Sequence, residues 1–118
     1  MDYKPLSGRE FPRFSGIKTF FRLPHVEVNA DFDVALFGIP YDGGVSYRPG
    51  ARFAPTKVRE ISVLGRGFHM TRELSLFERL KVADVGDSPT VPIDQLQTYE
   101  RIEKFVTELL KNKKRSYI

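Results

Sequence analysis

The chain has 118 residues, no cysteine and a formal net charge of +4. The lack of cysteine excludes disulfides, thiolate metal sites and a cysteine nucleophile. No run approaches the ~18 consecutive apolar residues of a membrane-spanning helix, and the first residues lack the apolar segment of a secretory signal, so we expect a cytoplasmic protein without membrane contacts.

Residues 1–30 are predicted to form an amino-terminal arm. Three prolines and two glycines interrupt every possible run there, which favours an extended segment with at most a short helical turn. The arm has too many apolar residues for a disordered tail, so we expect the domain or a neighbouring subunit to cover them. They are Phe11, Phe14, Ile17, Phe20, Phe21 and Leu23.

The first predicted strand is Asp33–Gly38, whose short apolar run is typical of a strand buried on both faces of a parallel sheet. Residues 38–54 are rich in glycine and proline and predict a loop. Pro55 fits the first turn of a helix. Apolar residues follow at helical spacing until Gly65 and Gly67 end the segment.

The second predicted strand is Leu80–Val85, ending at Gly86. Asp94 is expected to cap a long helix, because its carboxylate can accept a hydrogen bond from a free amide of the first turn. Apolar residues recur along this helix every three or four positions and predict a core-facing side from Leu96 to Leu110. The helix should end near Asn112, and Ser116–Ile118 should begin a third strand.

The excess positive charge sits largely at the end of that helix, in Lys111, Lys113, Lys114 and Arg115. Cations there complement the negative end of the helix dipole. The other basic residues are scattered among acids, so we expect no nucleic-acid partner. The alternation of strands and helices predicts an α/β fold with a parallel sheet. A sheet of two strands and the start of a third cannot bury both faces of strands this apolar, which indicates an incomplete domain.

Polar side chains in the loop after the first strand lie where ligands bind open α/β sheets, at the carboxyl ends of the strands. The loop is therefore a candidate binding loop of undetermined chemistry. It is not a phosphate-binding loop, because it lacks the Gly-Lys-Ser/Thr sequence and the GxGxxG spacing.

The string GIPYDGGVSYRPGARFAPTKVRE in this loop is similar to the corresponding loop of agmatinases and of guanidinobutyrase- and proclavaminate-type ureohydrolases. FSGIKTFFRLPHVE resembles their amino-terminal arm, and LSLFERLKVADVGDSPTVPIDQLQTYERIEKFVTELL resembles their next strand, turn and helix. The chain is thus identified as the amino-terminal portion of an arginase/agmatinase-family enzyme. The resemblance implies a partial three-layer αβα sandwich, with an incomplete domain over residues 31–118.

The resemblance also implies a reaction, the hydrolysis of a guanidino compound such as agmatine to urea and an amine. In the complete family enzyme, a binuclear manganese centre activates the attacking water. The family's Gly-Gly-Asp-His, Asp-Ala-His-x-Asp and Asp-x-Asp ligand motifs are absent from this sequence. We therefore assign no catalytic residue, metal ligand or cofactor to this chain, and we expect the isolated chain to be inactive.

Eight loop residues are candidates for the rim of the substrate entrance, with loop packing as the alternative role. They are Tyr41, Asp42, Gly43, Gly44, Ser46, Tyr47, Arg48 and Arg52.

Four residues outside the loop could also carry chemistry. Asp84 and Asp87 are expected to form a structural turn, with general-base work as the alternative role. In the intact family this turn lies near the loop, so a salt link from Asp87 to Arg48 or Arg52 is a further hypothesis. His25 and His69 lack neighbouring ligands in the sequence and are expected at the surface or at an interface.

Two other functions stay open. The chain could be a non-catalytic oligomerisation module that associates with itself or with a full-length family member, in which case exposed apolar arm residues and an uncovered sheet edge would mediate the contact. It could also be a small independent domain that binds an anion through the glycine-rich loop. A small guanidino substrate is expected only for the complete enzyme.

Overall fold

The computed structural model describes residues 2–111. Its strands are β1 (Val34–Gly38), β2 (Phe68–His69), β3 (Leu74–Ser75) and β4 (Val82–Asp87). Its α-helices are α1 (Ala54–Ser62), α2 (Leu76–Arg79) and α3 (Gln95–Lys111), and short 3₁₀ turns cover Phe20–Arg22 and Ala51–Phe53. The predicted third strand at Ser116–Ile118 lies outside the described residues.

The sheet pairs β1 with β4 in parallel, as predicted. Val34 is opposite Val82 and Leu36 is opposite Asp84, and an irregularity after Leu36 then brings Gly38 opposite Asp87. Because the strands are parallel, both carboxyl ends lie at one edge of the sheet. The loop after β1 and the turn after β4 therefore leave the sheet side by side.

The arm extends this sheet on the far side of β4. Val26 N–H donates to the Asp84 carbonyl at 3.0 Å, and Asp84 N–H donates to the Pro24 carbonyl at 3.0 Å. β4 thus lies between β1 and a short extended part of the arm, although the sequence predicted only a cover for the arm's side chains. Phe20 and Leu23 are indeed buried by the domain, whereas Phe14 and Ile17 are 87% and 91% exposed.

The apolar core lies between the sheet, the arm and α3. Its buried members come from all three parts, and the Phe37 ring of β1 packs against the Phe105 ring of α3 with centroids 5.4 Å apart. The buried residues of this cluster are Val26, Phe32, Ala83, Val85 and Leu109. One helix therefore covers one face of the sheet.

The prediction that the whole face of α3 from Leu96 to Leu110 is core is wrong for this chain. Leu109 is 7% exposed, but Leu96 is 74% exposed and Tyr99 and Leu110 are also exposed. A sheet of two strands offers too little apolar surface to cover all four turns of the helix. In the first turns, Thr98 is buried instead, and its hydroxyl donates to the carbonyls of Val91 or Asp94.

Three further local features differ in how well the sequence anticipated them. Asp94 caps α3 as predicted, accepting a hydrogen bond from Gln97 N–H at 3.0 Å.

The apolar residues of α1, exemplified by Ile61, are exposed, while Ser62 faces the arm and is buried. The hairpin of β2 and β3 and the short α2 were not predicted, because so few residues show no periodicity.

A pair of leucine truncations in α3 tests where the core lies. We expect Leu109→Ala to lower the free energy of unfolding by about 2–5 kcal/mol, because it leaves a cavity under the sheet. The matched control Leu96→Ala should change it by less than about 0.5 kcal/mol, because that side chain contacts mainly water. Urea denaturation followed by circular dichroism measures both, and equal losses would contradict the described core.

Candidate functional site

The carboxylate of Asp84, near the end of β4, connects three parts of the chain. Oδ2 accepts hydrogen bonds from Phe20 N–H at 2.9 Å and from Arg59 Nε at 2.8 Å. Oδ1 accepts from Arg59 Nη2 at 3.0 Å and from Gly86 N–H at 2.9 Å. The side chain is 1% exposed. Asp84 thus joins the arm and α1 to the carboxyl end of β4.

Arg59 of α1 is the partner that makes this burial possible. Its Nη1 also donates to Asp87 Oδ1 at 2.7 Å, and its guanidinium lies 4.2 Å from the centre of the Phe20 ring. A cation over an aromatic face gains electrostatic energy, more so when both are shielded from water. Arg59, Asp84, Asp87 and Phe20 are called the strand-end cluster below.

The predicted salt link of Asp87 to Arg48 or Arg52 is wrong. Both acids of the turn are paired with Arg59, because α1 runs beside the end of β4 and presents this residue to it. Arg52 is paired with Asp42 instead. Both acids lie within β4, and their role in a structural turn stays a prediction.

The contacts in the strand-end cluster shift the pKa values of Asp84 and Arg59. Burial alone would raise the pKa of Asp84, but hydrogen bonds from Arg59 and from the amides of Phe20 and Gly86 outweigh it and lower the pKa. The hydrogen bond to Asp84 raises the pKa of Arg59. The pair is therefore charged at neutral pH.

The base of the glycine-rich loop is held against this cluster. A Cβ at Gly38 would collide with Asp87 Oδ1 and lie 2.6 Å from Pro55 Cβ, so only glycine fits between them. Ser88 N–H donates to the Gly38 carbonyl at 2.9 Å. Since Gly38 begins the loop and Pro55 follows it, both ends of the loop are fixed at the turn after β4.

Asp42 organises the inside of the loop. Its Oδ2 accepts from Gly50 N–H at 2.7 Å and from Arg52 N–H at 3.3 Å. Its Oδ1 accepts from Arg52 Nε at 2.7 Å. The hydrogen bond from Arg52 is the main reason that the pKa of Asp42 is lowered. The carboxylate is 1% exposed and therefore faces the loop interior.

The remaining candidate residues form the exposed part of the loop. Tyr41 is half-buried, and its ring lies where a side chain at position 43 would be, which explains Gly43. Tyr47 and Arg48 are exposed and contact each other, with the guanidinium 5.2 Å from the ring centre. Gly44 and Ser46 are exposed, as is Arg52, although Arg52 pairs with Asp42. The eight candidates thus lie on one loop, in which Asp42 is buried, Tyr41 is half-buried and the other six are exposed.

His25 and His69 lie apart, and both are exposed. His69 Nδ1 accepts from Arg72 N–H at 3.2 Å, as in a local turn. In residues 2–111, no three His, Asp or Glu side chains are grouped closely enough to hold a metal ion. The same residues contain no helix that is long and apolar enough to cross a membrane.

Sequence reasoning missed Arg59, which pairs with both Asp84 and Asp87 at this edge. One signal was available: Arg59 belongs to the family-like string that begins at Gly38, and it follows a helix start set by Pro55. The partner could not be identified in this way, because Arg59 and Asp84 are 25 residues apart.

Comparisons with known proteins agree on one family. Residues 32–118 match the model of the arginase family. A guanidinopropionase of Pseudomonas aeruginosa is 42% identical over 106 residues, which cover 90% of this chain and 33% of that protein. A guanidinobutyrase of the same organism is 40% identical over 111 residues, covering 92% of this chain and 35% of that protein.

A solved structure extends the agreement to the fold. The proclavaminate amidinohydrolase of Streptomyces clavuligerus is similar with a TM-score of 0.80 and 40% identity, covering 85% of this chain and 33% of that one. The expected arginase-like α/β fold is thereby confirmed. The chain spans about a third of the length of the curated relatives that it matches.

The lowered pKa of Asp84 predicts how stability depends on pH. Since the pKa is lower in the folded than in the unfolded chain, the pair's contribution is present above the ordinary value of 3.8 and is lost as the pH falls through the folded value. We expect Asp84→Asn to lower the free energy of unfolding at pH 7 by about 3–5 kcal/mol, because it removes the buried counter-charge of Arg59 and leaves only the more exposed Asp87 to balance the guanidinium.

Urea denaturation between pH 7 and pH 2 measures this dependence. The difference in the free energy of unfolding between the unchanged chain and Asp84→Asn should become smaller below about pH 4. Glu60→Gln is the control, because Glu60 pairs with Lys57 on the exposed face of the same helix. A difference that stays constant down to pH 2 would contradict the assigned pairing.

Proposed function

Because this chain belongs to the arginase family, we propose that it supplies the amino-terminal scaffold and the rim of the substrate entrance in a ureohydrolase. The proposed reaction is the hydrolysis of a guanidino compound, such as agmatine, to urea and an amine. The observation that carries this proposal is the braced glycine-rich loop at the carboxyl edge of a parallel sheet. It occurs in a chain 40–42% identical to proteins named for guanidino substrates.

The reaction needs an activated water, which a binuclear manganese centre would supply in the whole enzyme. The described residues do not fit such a centre. Both oxygens of Asp84 already accept hydrogen bonds from Arg59, and Asp87 is paired with the same guanidinium. We therefore propose that the metal ligands belong to the part of the family fold that residues 2–111 do not include.

The proposed contribution of this chain to the reaction is to shape the substrate entrance with the side chains of its loop. Tyr47 and Arg48 are exposed at the loop tip and are the side chains most available to a small substrate, with Gly43, Gly44 and Ser46 beside them. Tyr41, Asp42 and Arg52 are proposed to support these residues from the inner side of the loop. We place the reaction in the cytoplasm, and we propose further copies of the same protein as partners.

The second candidate function is a non-catalytic interaction module, and the exposed arm favours it. Phe14 and Ile17 are nearly fully exposed, and Leu96 of α3 is also unpacked. Large apolar side chains left exposed in this way favour association with another protein surface. Size-exclusion chromatography with light scattering tests this function, and a monomer at all concentrations would contradict it.

A chimaera tests the proposed enzymatic role. We expect the isolated chain, supplied with manganese and agmatine or guanidinobutyrate, to release no more urea than a protein-free control. The same chain in place of the matched third of the Pseudomonas guanidinobutyrase should restore urea release, because the fold then regains its catalytic residues.

Two controls make the outcome decisive. The intact guanidinobutyrase shows that the assay works, and the guanidinobutyrase without its matched third shows that this part is needed. Urea release by the isolated chain would contradict the proposal that the metal ligands lie elsewhere. A folded but inactive chimaera would contradict the proposed function.

A further inference from the structure

We propose that Asp42 is the positioning residue of the entrance loop: it closes residues 43–49 into a ring and so fixes Tyr47 and Arg48 at the rim. This inference rests on the proposed function and deepens it, because it separates the residue that shapes the loop from those that meet the substrate. Asp42 is buried in the loop and does not face solvent.

The chemistry of the ring requires a carboxylate. Asp42 sits at one end of the ring, and its two oxygens accept from three donors at the other end, namely the Gly50 and Arg52 amides and Arg52 Nε. An asparagine has one acceptor oxygen, and its NH₂ group would face donors. Asp42→Asn is therefore nearly identical in shape but removes at least one bond of the ring.

The backbone within the ring needs such support. Arg48 has φ 55°, a left-handed conformation that is unfavourable for a residue with a side chain. Gly50 has φ 140°, which glycine alone tolerates well. Conformations of this kind persist when surrounding contacts hold them. The hydrogen bond from Gly50 N–H to Asp42 is the contact that spans this strained part.

The base of the loop is fixed by other residues. Gly38 and Pro55 lie against Asp87 of the strand-end cluster, and Thr90 Oγ1 donates to the Pro40 carbonyl at 3.4 Å. A change at Asp42 should therefore loosen the tip and leave the base of the loop in place.

The ring also determines which arginine of the loop is available to a ligand. Arg52 is neutralised by Asp42. Across residues 2–111, the ion pairs do not include Arg48, whose guanidinium contacts the Tyr47 ring. Fixing the tip thus presents one free guanidinium and one phenol ring in a defined orientation. A rim group that is already ordered binds its ligand with a smaller entropy cost.

Hydrogen exchange of the 118-residue chain tests the bracing without any assay of function. In Asp42→Asn, the amides of Gly50 and Arg52 should exchange about tenfold faster or more, because a charge-assisted hydrogen bond is lost. Exchange of the β4 amides should stay unchanged. Glu60→Gln is the matched acid-to-amide control and should change neither set. Unchanged exchange at Gly50 and Arg52 in Asp42→Asn would overturn the inference.

Kinetics of the active chimaera with guanidinobutyrate, whose carboxylate can pair with the Arg48 guanidinium, test the purpose of the bracing. Asp42→Asn should raise KM about threefold or more with kcat nearly unchanged, and this increase should disappear in the Arg48→Gln background, because both changes then act through the same tip. Additive effects, or a loss of kcat alone, would overturn the positioning role. An inactive chimaera would contradict the proposed function, while the exchange result would still decide the bracing.

Discussion

The buried ion pair between Arg59 and Asp84 determines how the other described parts of this chain are arranged. Arg59 belongs to α1 and Asp84 to β4, and the same carboxylate accepts a hydrogen bond from the amide of Phe20 in the arm. Removing two charges from water is costly unless their remaining donors and acceptors are satisfied. Here four hydrogen bonds reach Asp84, and Phe20 and Asp87 complete the surroundings of Arg59. The pair therefore specifies one arrangement of arm, helix and strand.

The position of the glycine-rich loop after β1 follows from this arrangement. Asp87, held by Arg59, lies against Gly38 and so fixes the place where the loop leaves the sheet. Asp42 then fixes the shape of the loop farther out. Asp87, paired with Arg59, thus fixes the base of the loop, and Asp42, paired with Arg52, fixes its tip. A chain that covers about a third of its relatives' length therefore contains a loop whose shape is fixed by contacts among the described residues.

Much of the architecture could be predicted from local sequence. Short apolar runs located β1 and β4, and Asp94 was recognised as a cap because capping involves neighbouring residues. The family could be recognised because the string GIPYDGGVSYRPGARFAPTKVRE is long and specific. Contacts distant in sequence could not be predicted, notably Arg59 with Asp84 and Pro24 with Asp84. The buried side of α3 was overestimated because periodicity shows which residues are apolar, but not how much sheet is available to cover them.

A double-mutant cycle between positions 59 and 84 tests the central claim most directly. It compares the free energies of unfolding of the unchanged chain, Arg59→Met, Asp84→Asn and the double variant. If the pair holds the arm, α1 and β4 together, the coupling energy should be about 1.5–3 kcal/mol. The exposed pair of Lys57 and Glu60 in the same helix should give less than about 0.5 kcal/mol. A coupling between Arg59 and Asp84 as small as that of the exposed pair would contradict the account.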